Sequence, residues 1–340
     1  MKRNLTIILI VTFLVVLIYI ASDLLTPFQI GDKTIEVEIP KGVTFKQVIG
    51  ILSKEGLVRN KTLFLILGRM IGLERKVKAG YYSIHGSISP LELLNKLRIG
   101  QIIEYEVVII EGDSLIEIGE KLSEKGIIKK DDFMRLSVNK EFLTSYNIDA
   151  PSFEGYLFPD TYRIPKGADP KEVVGFMINR MREKYSNNLK ERAIELGLSE
   201  REVLTLASII EKEAKVDEER PLISAVYHNR LKRHIPLQAD PTCIYGIKRF
   251  GEEITEKDLK RKTPYNTYII KGLPPGPIAS PGMKSIMAAL YPANVPYIFF
   301  VSNNDGTHKF SVTPGEHQIA VETYRKKKNE EDREKTKRSS

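Results

Sequence analysis

VEIPKGVTFKQVIGILSKEGLV (residues 37–58) aligns without a gap on VVIIEGDSLIEIGEKLSEKGII (residues 107–128). Val37, Gly42, Leu52, Ser53 and Gly56 meet identical residues at Val107, Gly112, Leu122, Ser123 and Gly126. Each copy opens on a β-prone run, turns at a glycine, and then places apolar residues three and four apart up to a second glycine. That pattern predicts a strand, a turn, an amphipathic helix and a stop. Between the copies, residues 61–71 carry a helical period. KAGYYSIHGSISPLELLNKLRIG (residues 78–100) reads as a strand, a Ser-Pro helix start, a helix and a glycine stop. Strands and helices interleaved at this spacing predict an α+β fold with an internal duplication.

Toward the N-terminus the pattern differs in kind. LTIILIVTFLVVLIYIA (residues 5–21) is uncharged and about long enough to cross the hydrocarbon core of a bilayer. IYIASD offers no small-x-small cleavage site, and the run exceeds a signal peptide's apolar region, so an uncleaved anchor is expected over a cleaved leader. Lys2 and Arg3 before the span, with Asp23 after it, orient the N-terminus to the cytoplasm. The expected location is the cytoplasmic (inner) membrane, single-pass, with everything after about Ser22 extracytoplasmic. Cys243 is the only cysteine, which rules out an intramolecular disulfide, and it reads as a small buried apolar residue. The net charge of +8 includes RKKKNEEDREKTKRSS (residues 325–340), read as the frayed, solvated and disordered end of a helix. Nucleic acid is not an expected partner of an exported, anchored chain, whereas a basic surface suits anionic lipid or wall polymer.

From Ala150 the character changes. PSFEGYLFPDTYRIPKG (residues 151–167) is aromatic and turn-rich, and helical periods then cover residues 171–196, 200 to about 215, and about 218–233. Ser199 with Glu202 predicts a capping box for the second of these. Asp217 is placed to cap the third, and Pro221 falls in that helix's first turn. A Pro/Gly-rich segment (residues 271–282), a helix over residues 283–290 and a hairpin follow, with YIFFVS and HKFSV flanking an Asp305-Gly306 turn. The expected layout is a cytoplasmic N-terminus and transmembrane anchor over residues 1–22 and a repeat domain over residues 23–150. A mixed helical/β catalytic domain follows over residues 151–324, then a charged tail over residues 325–340.

The sequence holds no P-loop, GxGxxG, HExxH or GxSxG. Its five histidines (His85, His228, His234, His308, His317) show no metal-ligand spacing and read as surface or turn residues. The one SxxK, Ser137 to Lys140, reads as a chance match. No cofactor or metal is expected. Carboxylates, amides and aromatics remain, the side chains of a carbohydrate site. In LASIIEKEAKVDEER (residues 206–220), residues three or four apart share a helix face. Glu211 has Lys215 four ahead, a pairing that favours its ionised form. Glu213 has Ile209 and Ile210 behind it and Val216 and Asp217 ahead, which disfavours ionisation. A glycosidic-bond enzyme needs one carboxylic acid still protonated near neutrality. On this spacing Glu213 is the better acid and Glu211 the better structural ion pair, although a merely solvated face fits the same residues.

Longer motifs carry a resemblance. EGYLFPDTY (residues 154–162), LASIIEKEA (206–214), HNRL (228–231), LQADPTCIYG (237–246) and TPYNTY (263–268) followed by GLPPGPIASPG (272–282) resemble the endolytic murein transglycosylase family. Its members are single-pass membrane proteins that cut peptidoglycan glycan strands internally. The resemblance runs from the anchor to the region of His317. It implies that the second glutamate of the E-K-E triplet, Glu213, is the catalytic acid. It also implies a LysM-like first domain and work beside peptidoglycan synthases. LysM modules bind N-acetylglucosamine polymers, and the repeat fits either such binding or a structural duplication alone. Ala214 departs from the family, which admits a polar residue there.

The implied reaction is lytic transglycosylation of the MurNAc–GlcNAc β-1,4 bond, giving 1,6-anhydroMurNAc ends and limiting nascent strand length. Gln238, Asp240 and Asn266 read as groups for sugar hydroxyls and acetamido groups. Tyr265 and Tyr268 read as stacking faces or core fillers. Glu154, Asp160 and Tyr162 belong to a turn that either contacts substrate or is scaffold, with Asp160 placed for an Asx-turn. Ser208 either back-bonds to its helix or touches substrate. Two alternatives stay open: a muramidase-type hydrolase in which Asp240 or Glu211 activates water, and a non-enzymatic wall-binding or division scaffold.

Overall fold

The computed structural model describes residues 2–339, with side chains over residues 3–328. The chain divides into two compact units, Met1–Glu106 with Arg163–Ala168, and Val107–Tyr162 with Asp169–Ser340. The division falls at Glu106/Val107, whereas the expected repeat domain ran on to residue 150. Backbone pairing explains the difference. Gly112 N–H donates to Ser280 O and Ser280 N–H to Asp113 O, each at 2.8 Å, so the second repeat copy is tied into the larger unit. Pairing between segments so far apart in sequence leaves no local pattern.

The first unit begins with α1 (Lys2–Leu25). Among the described residues it is the one helix long and apolar enough to cross a membrane, over Arg3–Leu25 with mean hydropathy 2.9. β1 (Phe28–Ile39), α2 (Phe45–Lys54), α3 (Lys61–Met70), β2 (Gly80–Ile88) and α4 (Pro90–Ile99) follow. β1 and β2 pair antiparallel, with Ile35 opposite Ile84 and Val37 opposite Tyr82. Alternation along β1 buries Val37 and Ile39 on one face, and the apolar stripe of α2 (Phe45, Val48, Ile49, Leu52) joins the same core. Thr44 with Gln47 and Ser89 with Glu92 form capping boxes, and Gly100 ends α4 in the left-handed conformation the sequence predicts.

The chain leaves this unit through β3 (Glu104–Val108). The second unit then runs through α5 (Leu115–Glu124), α6 (Lys130–Ser137) and α7 (Lys140–Ser145), the chain returns to the first unit within β4 (Thr161–Pro165), and the second resumes with α8 (Pro170–Lys184), α9 (Asn187–Glu195) and α10 (Glu200–Glu213). It continues with α11 (Arg220–Lys232), α12 (Asp240–Ile244), α13 (Glu256–Leu259), α14 (Met283–Leu290), β5 (Phe299–Ser302), β6 (His308–Ser311) and α15 (Pro314–Ser339). The two repeat copies share local features. Gly42 and Gly112 turn at φ of 78° and 84°, where a side chain would be strained. Ser114 with Glu117 caps α5 as Thr44 with Gln47 caps α2. Val107, Ile109, Ile118 and Leu122 are buried like Val37, Ile39, Val48 and Leu52.

α10 is the central helix of the second unit. Every residue over 203–210 is buried, and α9, α11, α12 and α14 pack around it. β5 and β6 form the expected hairpin, with Thr307 N–H bonded to Asp305 Oδ1 at 2.9 Å. The single helix expected over residues 171–196 is two. Ser186 turns extended (ψ 167°) after the buried Tyr185, which separates α8 from α9. The tail expected to fray continues as helix to Ser339, and its side chains beyond residue 328 lie outside the described residues.

Candidate active site

The Ser199–Glu202 capping box starts α10 as expected, but the helix ends at Glu213, where Ala214 is extended (φ −76°, ψ 120°). Lys215 is therefore off the helix, and the expected Glu211–Lys215 pair does not form. Glu211 Oε1 instead accepts from Arg220 Nη1 at 3.0 Å, and Oε2 accepts from Gly282 N–H at 2.8 Å. The guanidinium goes on to Asp217 at 3.0 Å and to the Ser285 hydroxyl. Asp217, held by Arg220 and Lys284, does not cap α11, whose start at Glu219 has no side-chain cap. Glu219, the residue before α11, accepts from His308 N–H at 2.9 Å.

Consecutive helix residues point about 100° apart, so the three members of the triplet face three ways. Each is held. Lys212 Nζ donates to Gly112 O at 3.1 Å and lies 4.1 Å from the centre of the Phe250 ring, and desolvation lowers its pKa. Glu213 Oε1 accepts from Tyr227 OH at 3.1 Å. Part of Glu213 stays open to solvent while protein surrounds its carboxyl, and that burial, helped by the charge of Asp240, pushes its pKa up to about 8. Tyr227, the Asp240 backbone N–H and Arg230 work in the opposite direction. The direction matches the sequence expectation, but the acid responsible is Asp240, because Asp217 is turned toward Arg220 and Lys284.

Asp240 opens α12 with its side chain exposed, and its Oδ1 accepts from Tyr268 OH at 2.5 Å. Gln238, also exposed, takes a positive φ of 50°, and its N–H donates to Thr267 O at 3.1 Å. Arg230 holds this loop from α11, donating to Leu237 O at 2.8 Å and to Ile298 O at 2.7 Å. Glu213, Tyr227, Asp240 and Tyr268 thus come together from elements far apart in sequence.

Other expected contacts are scaffold. Asn266 is fully buried, its amide donating to the carbonyls of Asp258, Leu259 and Arg261 while its oxygen accepts from Tyr268 N–H. With every polar atom engaged, it has none left for a sugar. Ser208 donates to Thr205 O and accepts from Ile278 N–H. Glu154 is buried, accepts from Leu115 N–H and Tyr245 OH, and is pushed by burial to about 7. Tyr265 packs against Tyr245 with ring centroids 4.7 Å apart. Asp160 accepts from Thr161 N–H at 2.8 Å and pairs with Arg180 at 2.7 Å, and Tyr162 donates to Phe158 O. Two histidines read as surface or turn groups are partly buried and bonded: His228 Nε2 lies 2.8 Å from Ala289 O, and His308 Nδ1 lies 2.7 Å from Glu219. Cys243 is buried as expected. Sequence reasoning missed Tyr227, Arg230, Arg220 and Phe250. Of these, only Arg230 lay in a family motif, HNRL (residues 228–231), without a role assigned to it.

A carboxyl held protonated at neutral pH beside a second, exposed carboxylate can act as a general acid. The profile of the YceG-like family matches residues 37–323. A Bacillus subtilis (strain 168) protein named endolytic murein transglycosylase is 33% identical over 333 residues, 91% of this chain and 90% of that one. A protein of the same name from Streptococcus pneumoniae serotype 2 is 27% identical over 319 residues, 84% of this chain and 57% of that one. The crystal structure of a yceG-like protein from Listeria monocytogenes matches with a TM-score of 0.59 at 29% identity, covering 84% of this chain and 98% of that one.

Proposed function

The chain belongs to the YceG-like family, and we infer that it is an endolytic murein transglycosylase, a lyase that cuts peptidoglycan glycan strands internally. The observation that carries the chemistry is Glu213, a carboxyl raised to about 8 on a half-buried side chain near the exposed Asp240 and Gln238. At neutral pH such a group is mostly the free acid, the form that can donate. It hands its proton to the glycosidic oxygen of the MurNAc–GlcNAc bond as the C1–O bond breaks and positive charge develops at C1. The carboxylate then takes the proton of the MurNAc C6 hydroxyl, whose oxygen bonds C1. One group serves both steps, no water is consumed, and the new end is a 1,6-anhydro sugar. Asp240 and Gln238, both exposed, are the proposed contacts for sugar hydroxyl and acetamido groups, with Tyr268 bracing Asp240.

We place α1 in the cytoplasmic membrane with the N-terminus inside, on the strength of its length, hydropathy and flanking Lys2 and Arg3. The first unit is read as LysM-like, supported by its strand–turn–helix order, and action beside peptidoglycan synthases follows from the location.

Two measurements test the chemistry. Mass analysis of fragments released from purified peptidoglycan should find 1,6-anhydro ends. Reducing ends would point instead to a hydrolase with Asp240 activating water. The rate of release should hold from about pH 6 to neutrality and fall as pH rises through about 8, because the acid form is lost there. An ordinary glutamic acid would lose its proton near 4.5, so a rate already gone by about pH 6 contradicts the assignment.

A further inference from the structure

A carboxyl on the last residue of a helix has no following turn to restrain it, yet a group that gives and retakes one proton must keep one oxygen on the substrate. Glu213 ends α10. Its Oε1 meets the Tyr227 hydroxyl, which comes from α11 on a fully buried ring. The edge of Phe300 on the hairpin packs against that ring, with centroids 5.9 Å apart and planes at 81°, so the tyrosine cannot swing away. We propose that Tyr227 is a positioning residue whose hydroxyl pins Oε1 of Glu213 and so holds the carboxyl in the one orientation from which it delivers the proton and takes it back. This rests on Glu213 as the acid.

The other groups that face Glu213 are Asp240, whose charge and backbone N–H act in opposite directions, and Arg230. Tyr268 donates to Asp240 and lies close enough to feel the Glu213 charge. The Asp240 N–H is a second donor to the carboxyl, and the Tyr227 hydroxyl is the donor from a side chain. A hydrogen bond from a neutral donor favours the carboxylate over the acid. Its loss therefore raises the acid's pKa further while freeing the side chain to rotate.

The test is the full-length chain in detergent, wild type against Tyr227→Phe, assayed on purified peptidoglycan across the alkaline limb. The expected result is a fall in kcat of about tenfold with KM within about twofold, and a limb moved up by about half a pH unit. A merely structural role would lower activity through stability and leave the limb in place. Should the phenylalanine variant unfold, replacing Tyr227 by 3-fluorotyrosine keeps the ring and strengthens the donor, and the limb should move down. An unmoved limb in either folded variant overturns the proposal. Glu213→Gln run alongside separates the two levels. An inactive Glu213→Gln with an unchanged Tyr227→Phe sinks the positioning role alone, and an active Glu213→Gln sinks its premise.

Discussion

Glu213→Gln is expected to reduce strand cutting by about 10²- to 10⁴-fold, the range for removing a general acid, and at the same time to stabilise the protein at mildly alkaline pH. The two effects share a cause. Folding holds a proton on Glu213 up to about pH 8, whereas in the unfolded chain the same carboxyl releases it near 4.5. Between those values the folded state binds more protons than the unfolded state, so stability falls as pH rises through the window. The full shift would correspond to about 5 kcal/mol. The part of Glu213 that stays open to water reduces this to about 2 kcal/mol. Glutamine keeps the shape and does not ionise. Urea denaturation should therefore show the variant more stable than wild type near pH 8 and indistinguishable from it near pH 4.5. A variant less stable at pH 8, or a gap independent of pH, would mean that burial does not hold the proton. Unchanged cutting would favour the scaffold alternative.

The second large effect is one of stability. Arg220→Met is expected to cost about 3–5 kcal/mol, because it leaves Glu211 buried without its cation. The Glu211 and Arg220 side chains are 6% and 9% exposed, and the pair ties the end of α10 to the starts of α11 and α14. Glu211→Gln should cost less, about 1–3 kcal/mol. Its amide oxygen can still accept from Gly282 N–H, and Arg220 keeps Asp217. The double variant should recover part of the Arg220 loss, since no uncompensated charge remains. Denaturation midpoints at neutral pH check the order. The exposed Lys260–Glu256 pair provides the scale, and breaking it should cost under about 1 kcal/mol. An Arg220 variant no worse than that would show the clamp to be unimportant. Glu211→Gln should also leave the alkaline limb in place, because Glu211 is absent from the groups that set the Glu213 proton.

Much of this protein was legible in its sequence, because several signals act within one turn of chain. The Ser199–Glu202 box, the Ser89-Pro90 helix start, the glycine stops, the Asp305-Gly306 hairpin and the helix over residues 283–290 are all decided by neighbours within about four residues. The raised acid at Glu213 belongs in part to this class, since its apolar flanks Ile209 and Ile210 lie one turn back. Partner choice does not. Glu211 takes Arg220 and not Lys215, because α10 ends two residues short of Lys215, the i+4 position. Glu213 feels Asp240 and not Asp217, because a guanidinium and an ammonium draw Asp217 away. Asn266 looks like a sugar contact until three carbonyls of its own loop close around it. Tyr227 carried no local mark, and the second repeat copy joined the larger unit through backbone bonds to a segment far along the chain. Local propensity settles where elements begin and end. Only packing decides which buried charge meets which donor, because desolvation makes an unpaired group costly and the nearest available partner in space answers it.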